Sequence, residues 1–452
     1  MSMDHASGIS AELAARASRA FTESPAHALA DSIAKNGIDN TVYHRAAAVR
    51  MNHLFSHEIE PMTITNQQKS GRCWIFAGTN VLRYHLRDTL RVKNPDFELS
   101  QSYLLFWDKL EKGNYFLEGV LDTADQPKDS RTVMWLFQNP LNDGGQWDML
   151  VALIEKYGVV PKLAMPESFH SGNTAKLNAV LSRKLRRNGI ELRGLHAKGQ
   201  PPEALRARKE EMVAEFYVLL CAFLGEPPRT FDFTWRDKDG AFHRDAGQTP
   251  RGFYETYFGK DFLADYVSVI NAPTAEKPYD RTYTVKYLGN VVGGRPVRYL
   301  NLPGEELARA ASRQIRDGRP VWFGSDVGKV SDRQAGILDT ALYPYAEALH
   351  IALDIGKGDM LDYGESCLTH AMMLLGVDVT DAGVQKWKVE NSWGKDVGEK
   401  GFFVMSPEWF DNYVCQVVVD KQYLTPEQQK ALEQPPIELE PWDPIGALAR
   451  LD

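Results

Sequence analysis

Cys73 is the residue of this sequence best suited to act as a nucleophile. A reactive thiol needs a lowered pKa, and the N-terminus of a helix is one environment that supplies it. Apolar residues recur at helical spacing after Cys73 and a Ser-Gly pair precedes it, which predicts a helix of about five turns that begins near the thiol. Cys221 and Cys415 lie in apolar runs that predict core positions, and nothing in the sequence orients Cys367.

His370 and Asn391 could form a proton-transfer unit with this thiol. His370 opens the apolar run 371–377, so we expect it at the mouth of a buried strand. Asn391 ends the next strand-like segment, and a short turn would bring both residues to one edge of a sheet. An amide oxygen there can accept a hydrogen bond from the imidazole and fix its ring, with Trp393 shielding that bond from water. For an isolated histidine we would favour a structural role. The presence of Asn391 as a partner favours a catalytic role for His370 instead.

Acyl transfer also needs donors for a developing oxyanion. Gln67 lies in the polar loop before Cys73, and its side-chain amide could fold back beside the backbone N–H of Cys73. Asn66 and Gln68 are alternatives, because spacing alone does not select among the three residues.

The elements that must position these residues change in type along the chain. Helices are predicted over 10–35, from Ser100, from 147 to Gly158, and over 174–225. A hairpin is predicted over 231–243, and the region after 425 is rich in Pro and Glu, which predicts an extended tail. Strands are predicted at 282–287, 321–325, 371–379, 385–390, 401–405 and 414–419. The chain is therefore helix-rich first and strand-rich second, an α+β fold.

Composition narrows the class of protein. The 452 residues and 43% apolar content predict a globular protein with more than one domain-sized unit. The net charge of −8 argues against a global basic surface for nucleic acid or membrane. Four dispersed cysteines indicate neither a disulfide framework nor a zinc ribbon, and neither a metal nor a cofactor is expected. With no visible signal or spanning segment, we expect a cytoplasmic location without membrane partners.

One segment is locally basic in spite of the acidic average. Its interpretations are a solvated helical face offset by nearby glutamates, which we favour, or a positive surface that contacts nucleic acid. The basic residues are Arg183, Lys184, Arg186, Arg187, Arg193, Lys198, Arg206, Arg208 and Lys209.

Short motifs in a fixed order resemble the bleomycin hydrolase and aminopeptidase C branch of the papain-like cysteine peptidases (peptidase family C1). They are Gln67, GRCW at 71–74, NDGGQWDM at 142–149, YLGNVVGG at 287–294, LTHA at 368–371, ENSWG at 390–394 and PWDP at 441–444. Two features depart from ordinary papain-like enzymes. Arg72 replaces a small residue before the nucleophile, and about 150 additional residues separate Cys73 from His370.

The resemblance implies a papain-like two-lobed core, with a helical lobe and a β-barrel-like lobe, plus a large helical insertion and a C-terminal arm. It divides the chain into a helical N-terminal segment at 1–60, a nucleophile lobe at 61–165 and an insertion with a hairpin at 166–280. A β-rich lobe with His370 and Asn391 then spans 281–425, and an arm that enters the cleft spans 426–452.

The resemblance also implies a cysteine-type aminopeptidase, a homohexamer that acts on peptides with a free N-terminus and extends to bleomycin-like amides. The implied catalytic residues are Cys73, His370, Asn391 and Gln67, and the implied substrate-binding residues are Gly144, Gly145, Trp393 and Ala449. The tail continues after Ala449 with three residues that would be trimmed or would occlude the site. A nucleic-acid-binding protein, or a papain-like endopeptidase whose arm leaves the cleft open, are the alternatives.

Overall fold

The computed structural model of the chain describes residues 8–447 and combines helices with one large mixed sheet. The helices of the first half are α1 (Ala11–Glu23), α2 (Pro25–Asn36), α3 (Ile38–Val42), α4 (Arg45–Arg50), α5 (Cys73–Leu90), α6 (Gln101–Asp122), α7 (Arg131–Gln138), α8 (Trp147–Tyr157), α9 (Ala175–Ala197) and α10 (Pro202–Leu224). Those of the second half are α11 (Pro250–Tyr257), α12 (Gly304–Arg316), α13 (Tyr345–Leu349), α14 (Lys357–Asp362), α15 (Pro407–Tyr413) and α16 (Pro426–Leu432).

The strands lie mainly in the second half of the chain. They are β1 (His57–Glu58), β2 (Phe231–Arg236), β3 (Phe242–Gln248), β4 (Tyr266–Ile270), β5 (Arg281–Val285), β6 (Tyr299–Asn301), β7 (Val321–Ser325), β8 (Ser331–Asp332), β9 (Ile337–Leu338), β10 (His370–Thr380), β11 (Gly383–Glu390), β12 (Phe402–Met405), β13 (Val414–Asp420) and β14 (Ile437–Leu439). The α+β class and the strands expected from the apolar runs are confirmed, with ends that shift by a few residues.

The helices that flank the candidate nucleophile begin and end where the sequence predicts. Helix α5 begins at Cys73, and α6 begins after Ser100, whose hydroxyl accepts a hydrogen bond from the Tyr103 backbone N–H. Helix α8 ends at Gly158, which has a positive φ of 73° that a residue with a side chain would adopt with difficulty.

Two sequence predictions about helices are wrong. Residues 10–35 form two helices because Pro25 has no N–H and disfavours helical backbone at Ser24, which therefore separates α1 from α2. The tail after 425 is not extended throughout, since α16 forms there. Thr425 and Gln428 exchange side-chain and backbone hydrogen bonds in a capping box at its start.

The large sheet runs in the order β14-β5-β6-β4-β13-β7-β10-β11-β12-β9-β8, and β1 pairs with β10. Strands β10 and β11 form an antiparallel hairpin, and β10 also pairs antiparallel with β7, where His370 lies opposite Ser325. The β2–β3 hairpin is separate, as expected. The central position of β10 places His370 beside the elements that carry the other candidate residues.

Strand β10 is covered on both faces. Its alternate residues Ala371 and Met373 belong to the core shared with α5 and α8, whereas Met372 and Leu374 belong to a second core that includes residues of α12 and α15. Burial of each of the larger side chains, Met372, Met373 and Leu374, contributes about 1.5–3 kcal/mol relative to exposure. A two-faced strand of this kind explains why the run after His370 is continuously apolar.

The described helices include none that is both long enough and apolar enough to cross a membrane. Cys221 and Cys415 are half-buried and pack against the main core, so their side chains are less enclosed than the apolar runs predict.

Candidate active site

Cys73 occupies the first turn of α5 and is 1% exposed. Its Sγ accepts a hydrogen bond from the backbone N–H of Ala371, with an N–S distance of 3.5 Å. This contact joins the start of α5 to the start of β10, although the two residues are far apart in sequence. The thiol therefore lies beside the residue that follows His370.

Arg72, the unusual residue before the thiol, is anchored inside the protein. Its Nε donates to Ser70 Oγ at 2.8 Å, and its guanidinium forms a 3.0 Å ion pair with Glu167. The guanidinium also lies 5.0 Å from the ring centre of Phe76. These contacts hold the loop that leads into Cys73.

His370 and Asn391 meet as the sequence predicts. The β10–β11 hairpin brings them together, and His370 Nε2 lies 2.9 Å from Asn391 Oδ1. Because an amide oxygen can only accept, Nε2 carries the proton and Nδ1 is left as the acceptor on the ring. The Trp393 ring lies 4.8 Å from the imidazole, and the Arg333 guanidinium stacks 4.2 Å from Trp393. The aromatic ring thus covers the histidine, as expected from its position.

Gln67 is fully buried between the nucleophile loop and the residue after Asn391. Its Nε2 donates to Ser70 O at 2.7 Å, and its Oε1 accepts from Ser392 Oγ at 2.7 Å. The second N–H of the same amide has no partner among the described residues. Asn66 instead accepts from the Gln68 backbone N–H, and the exposed Gln68 has a positive φ of 55°. Of the three residues left open by spacing, Gln67 is the one whose amide is built into this region.

Gly144 and Gly145 form the loop before α8. Gly145 packs on the indole of Trp74 so closely that a Cβ would lie 2.5 Å from the ring, which excludes any larger residue. The carbonyl of Gly144 accepts from Lys112 Nζ. Within the described part of the chain, neither backbone polar group of Gly145 has a partner, so both are available to an extended ligand.

Asp143 holds this loop against the nucleophile loop. Its carboxylate accepts from the Gly71 backbone N–H at 2.9 Å and forms a 2.6 Å ion pair with Lys109, and its backbone carbonyl accepts from Trp74 Nε1 at 2.7 Å. Asn178 of α9 also donates to the carboxylate at 2.8 Å. Through its side chain and its backbone carbonyl, Asp143 therefore connects the 142–146 loop with α6, α9 and the start of α5.

Burial holds each candidate catalytic group in its uncharged form. It raises the pKa of the Cys73 thiol to about 12, against the lowering effect of the Ala371 and Trp74 backbone amides. It lowers the pKa of His370 to about 4, and the hydrogen bond to Asn391 opposes that shift. Since neither charge is favoured alone, a thiolate and an imidazolium must form together, each as the counter-ion of the other.

A cavity of about 670 Å³ is lined by residues next in sequence to His370 and to the glycine loop. It is bounded by Asn142 on the glycine loop, by Leu368 and Thr369 before His370, and by residues 441–447 of the C-terminal segment. Gln146 Nε2 donates to Ala447 O at 2.8 Å, which fixes the end of the described chain beside the glycine loop. Ala449, the remaining expected substrate-binding residue, lies outside the described residues.

A sequence model of the Peptidase C1-like family matches residues 8–446. This match covers nearly all of the described residues and includes the four candidate catalytic positions. The chain belongs to the Peptidase C1-like family. The interval from Cys73 to His370, which is long for papain-like enzymes, lies inside the matched range.

Relatives within the family are similar over almost the full length. Aminopeptidase C of Listeria monocytogenes is 50% identical over 418 residues, which cover 92% of this chain and 93% of the relative. Aminopeptidase C of Streptococcus thermophilus is 48% identical over 93% of this chain and 94% of the relative. The crystal structure of pepW from Lactobacillus rhamnosis HN001 superposes with a TM-score of 0.96 at 48% identity, covering 98% of this chain and 100% of that one.

The basic segment of this C1-like peptidase lies on α9, α10 and their connection. Nearby glutamates neutralise much of its positive charge by forming ion pairs. Lys184 pairs with Glu215, and Arg206 and Lys209 both pair with Glu118. Arg208 contacts three glutamates, while Arg186 and Arg193 donate to backbone carbonyls of the 123–138 region. These contacts favour the solvated helical face over a nucleic-acid surface.

Sequence reasoning missed three residues that organise the site. Asp143 directly precedes Gly144, and Ser392 directly follows Asn391. Their signal in the sequence is a polar side chain next to a predicted site residue. Asp326 directly follows the buried strand β7 and lines the cavity. Its signal in the sequence is a carboxylate at the end of an apolar strand.

Proposed function

We propose that Cys73, His370, Asn391 and Gln67 carry out the peptide hydrolysis of this cysteine aminopeptidase. His370 Nδ1 takes the proton of Cys73, and the thiolate attacks the carbonyl carbon of the first peptide bond. The resulting oxyanion is held by Gln67 Nε2–H and the Cys73 backbone N–H. His370 then protonates the leaving amine, and water activated by the same imidazole hydrolyses the thioester.

The hydrogen bond between His370 Nε2 and Asn391 Oδ1 is the observation that carries this proposal. It selects the imidazole tautomer whose other nitrogen can accept a proton, next to a thiol that is linked to Ala371. The buried site disfavours isolated charges, so proton transfer creates an ion pair and not a free thiolate. The family membership and the aminopeptidase C relatives support the same reaction.

Gly144, Gly145 and Trp393 are proposed to line the path of the substrate chain. The unpartnered backbone groups of Gly145 would bind the substrate backbone as an added strand binds, by N–H and C=O together. Trp393 would exclude water from the His370–Asn391 hydrogen bond, because its ring lies against the imidazole. Peptide substrates follow from the peptidase function, and we propose in addition that these peptides have a free N-terminus.

The C-terminal segment is proposed to close one end of the cleft and restrict cleavage to the first residue. Its support is the position of residues 441–447 in the cavity wall and the Gln146–Ala447 hydrogen bond. The papain-like lobes, the insertion, the arm as a unit and the five-part domain division belong to this proposal, as do the hexamer, the cytoplasmic location and the action on bleomycin-like amides.

The test of the catalytic assignment uses Cys73→Ala, with Cys415→Ala as the matched control because Cys415 is a second partly enclosed thiol. Hydrolysis of aminoacyl arylamides should disappear in Cys73→Ala and persist in Cys415→Ala, with both variants keeping the thermal transition of the parent. Full turnover by Cys73→Ala would contradict the assignment.

The test of the arm compares peptides with free and with blocked N-termini. Full-length protein should cleave only the free peptides, and protein truncated after Ala449 should do the same if the last three residues are dispensable. Cleavage of blocked peptides by the full-length protein would reject the aminopeptidase mechanism and favour an open cleft.

A further inference from the structure

The cavity whose wall includes Leu368 and Thr369, just before His370, is lined largely by apolar side chains and also contains the buried carboxylate of Asp326. Asp443, a second carboxylate of this wall, is paired with Lys277. The cavity volume of about 670 Å³ lies within the range of about 300–1,000 Å³ that is typical of small-ligand pockets. Apolar or aromatic side chains form much of its wall, among them Tyr115, Trp135, Leu141, Tyr287, Leu368 and Trp442. Asp326 also lines the cavity and is only 6% exposed.

Asp326 is held in place by neutral donors. Ser366 Oγ donates to one carboxylate oxygen at 3.0 Å, and Thr369 Oγ1 donates to the other at 3.2 Å. Thr369 directly precedes His370, so the carboxylate is fixed to the strand that carries the candidate base. A carboxylate oxygen can accept about two hydrogen bonds, so the carboxylate of Asp326 keeps acceptor capacity.

No cation among residues 8–447 lies within ion-pairing distance of Asp326. The nearby Lys329 pairs with Glu365 at 2.7 Å, and Lys112 in the cavity wall pairs with Asp108 at 2.8 Å. Burial raises the pKa of Asp326 above its usual value, and the hydroxyl donors, Lys329 and the backbone N–H of Cys367 only partly oppose this. Buried carboxylates in proteins are normally paired, so this one is available to a cation that enters the cavity.

We propose that Asp326 binds the side-chain cation of a lysine or arginine at the first position of the substrate, with the aliphatic part of that side chain packed on the apolar wall. The proposal rests on the proposed function. If cleavage follows the first residue and the 441–447 segment closes the cleft, the cavity between that segment and the catalytic strand is the space for the first side chain. Long apolar stems with a charged end match such a wall.

The experiment compares lysyl and norleucyl arylamides, because norleucine keeps the linear aliphatic stem of lysine and the α-ammonium but has no side-chain charge. In Asp326→Asn, kcat/KM for the lysyl substrate should fall about 10- to 100-fold, as expected for loss of a charged hydrogen bond. The fall should be mainly in KM, since the contact is made before the transition state. Norleucyl turnover should stay within twofold of the parent.

Asp362→Asn is the matched control, because it makes the same chemical change at an exposed carboxylate of α14 that does not line the cavity. It should leave the ratio of lysyl to norleucyl kcat/KM unchanged. An equal fall on both substrates in Asp326→Asn would assign the carboxylate to the α-ammonium or to loop structure, and would overturn the proposal. Unchanged kcat/KM for both substrates in this variant would overturn it as well. If the parent protein hydrolysed neither arylamide, that result would instead contradict the proposed function.

Discussion

The carboxylate of Asp143 accepts a 2.9 Å hydrogen bond from the backbone N–H of Gly71, two residues before the candidate nucleophile. The same carboxylate pairs with Lys109, whose side chain is fully buried. Burial alone would raise the pKa of Asp143, but the Lys109 charge and the hydrogen bonds outweigh it and hold that pKa well below its usual range. The nucleophile loop is thus fixed by a charged group that must stay ionised.

Replacing Asp143 by Ala should therefore reduce both stability and activity. The buried Lys109 would lose its counter-ion, a change that typically costs about 3–5 kcal/mol. We expect a lower thermal transition and a fall in kcat on arylamides larger than any change in KM. Because the pKa is depressed, the stabilisation is fully present above the unfolded pKa of about 3.9 and is lost as the pH falls below it.

The control is Asp239→Ala, since Asp239 pairs with Arg91 on the surface with both side chains more than half exposed. Such pairs contribute about 0–1 kcal/mol, so the transition should hardly move. Equal shifts in the two variants would show that Asp143 has no special role.

Local elements of this protein could be predicted because their signals are local. The helix that begins at Cys73 and the continuous apolar strand after His370 each carry their own periodicity. The Pro-rich composition of the tail predicts an extended chain, but the Thr425–Gln428 capping box is a stronger local signal and starts α16. Pro25 is likewise a local signal, because it starts α2 and separates it from α1.

The residue types of the candidate site could be predicted from the sequence, but the hydrogen bonds and ion pairs that join them could not. Sequence order selected His370 and Asn391, whose contact the hairpin then provides. The choice of Gln67 over its neighbours depends on Ser392, and the role of Asp143 depends on Gly71, Lys109 and α9. Such contacts join residues that are distant in sequence, so no local pattern indicates them.

The reactivity of Cys73 should depend on His370. Without an imidazole to receive the proton, burial holds the pKa of the thiol at about 12 and almost no thiolate exists near neutral pH. In His370→Gln, alkylation of Cys73 by iodoacetamide at pH 7 should fall more than about tenfold and recover only at alkaline pH. Labelling is read at Cys73 by peptide mass spectrometry, with Cys221 as the internal reference. Parent-like labelling of Cys73 in the variant would refute the coupling.

The same imidazole should affect stability in acid. Its folded pKa of about 4 lies below the unfolded value of about 6.5, so the unfolded chain binds more protons between these two values. Stability should therefore fall as the pH drops from about 6.5 to 4, and His370→Gln should show a weaker dependence in that window. Thermal unfolding at pH 7 and at pH 4.5 measures the difference, and identical pH slopes in parent and variant would contradict it.

Gln67 should contribute mainly to the transition state. Removing one oxyanion donor typically lowers kcat about 10²- to 10³-fold, and we expect Gln67→Ala to fall in this range with little change in KM. Ser392→Ala removes only the 2.7 Å contact that orients the Gln67 amide, so its kcat should fall by a smaller factor. A larger loss in Ser392→Ala than in Gln67→Ala would point to a different oxyanion donor.

The pair Lys277–Asp443 should control how the C-terminal segment closes the cleft. The two side chains are almost buried and form a 3.0 Å ion pair at the base of the segment that reaches Ala447. Asp443→Asn leaves the Lys277 charge without its counter-ion, which favours detachment of the segment because detachment rehydrates the lysine. We expect the ratio of kcat/KM for free over N-terminally blocked peptides to fall at least about tenfold, which corresponds to about 1.4 kcal/mol. Glu438→Gln, an exposed change on β14 of the same segment, should leave the ratio unchanged. If neither Asp443→Asn nor a variant truncated after Glu440 hydrolyses N-terminally blocked peptides, then the segment does not set the exopeptidase preference.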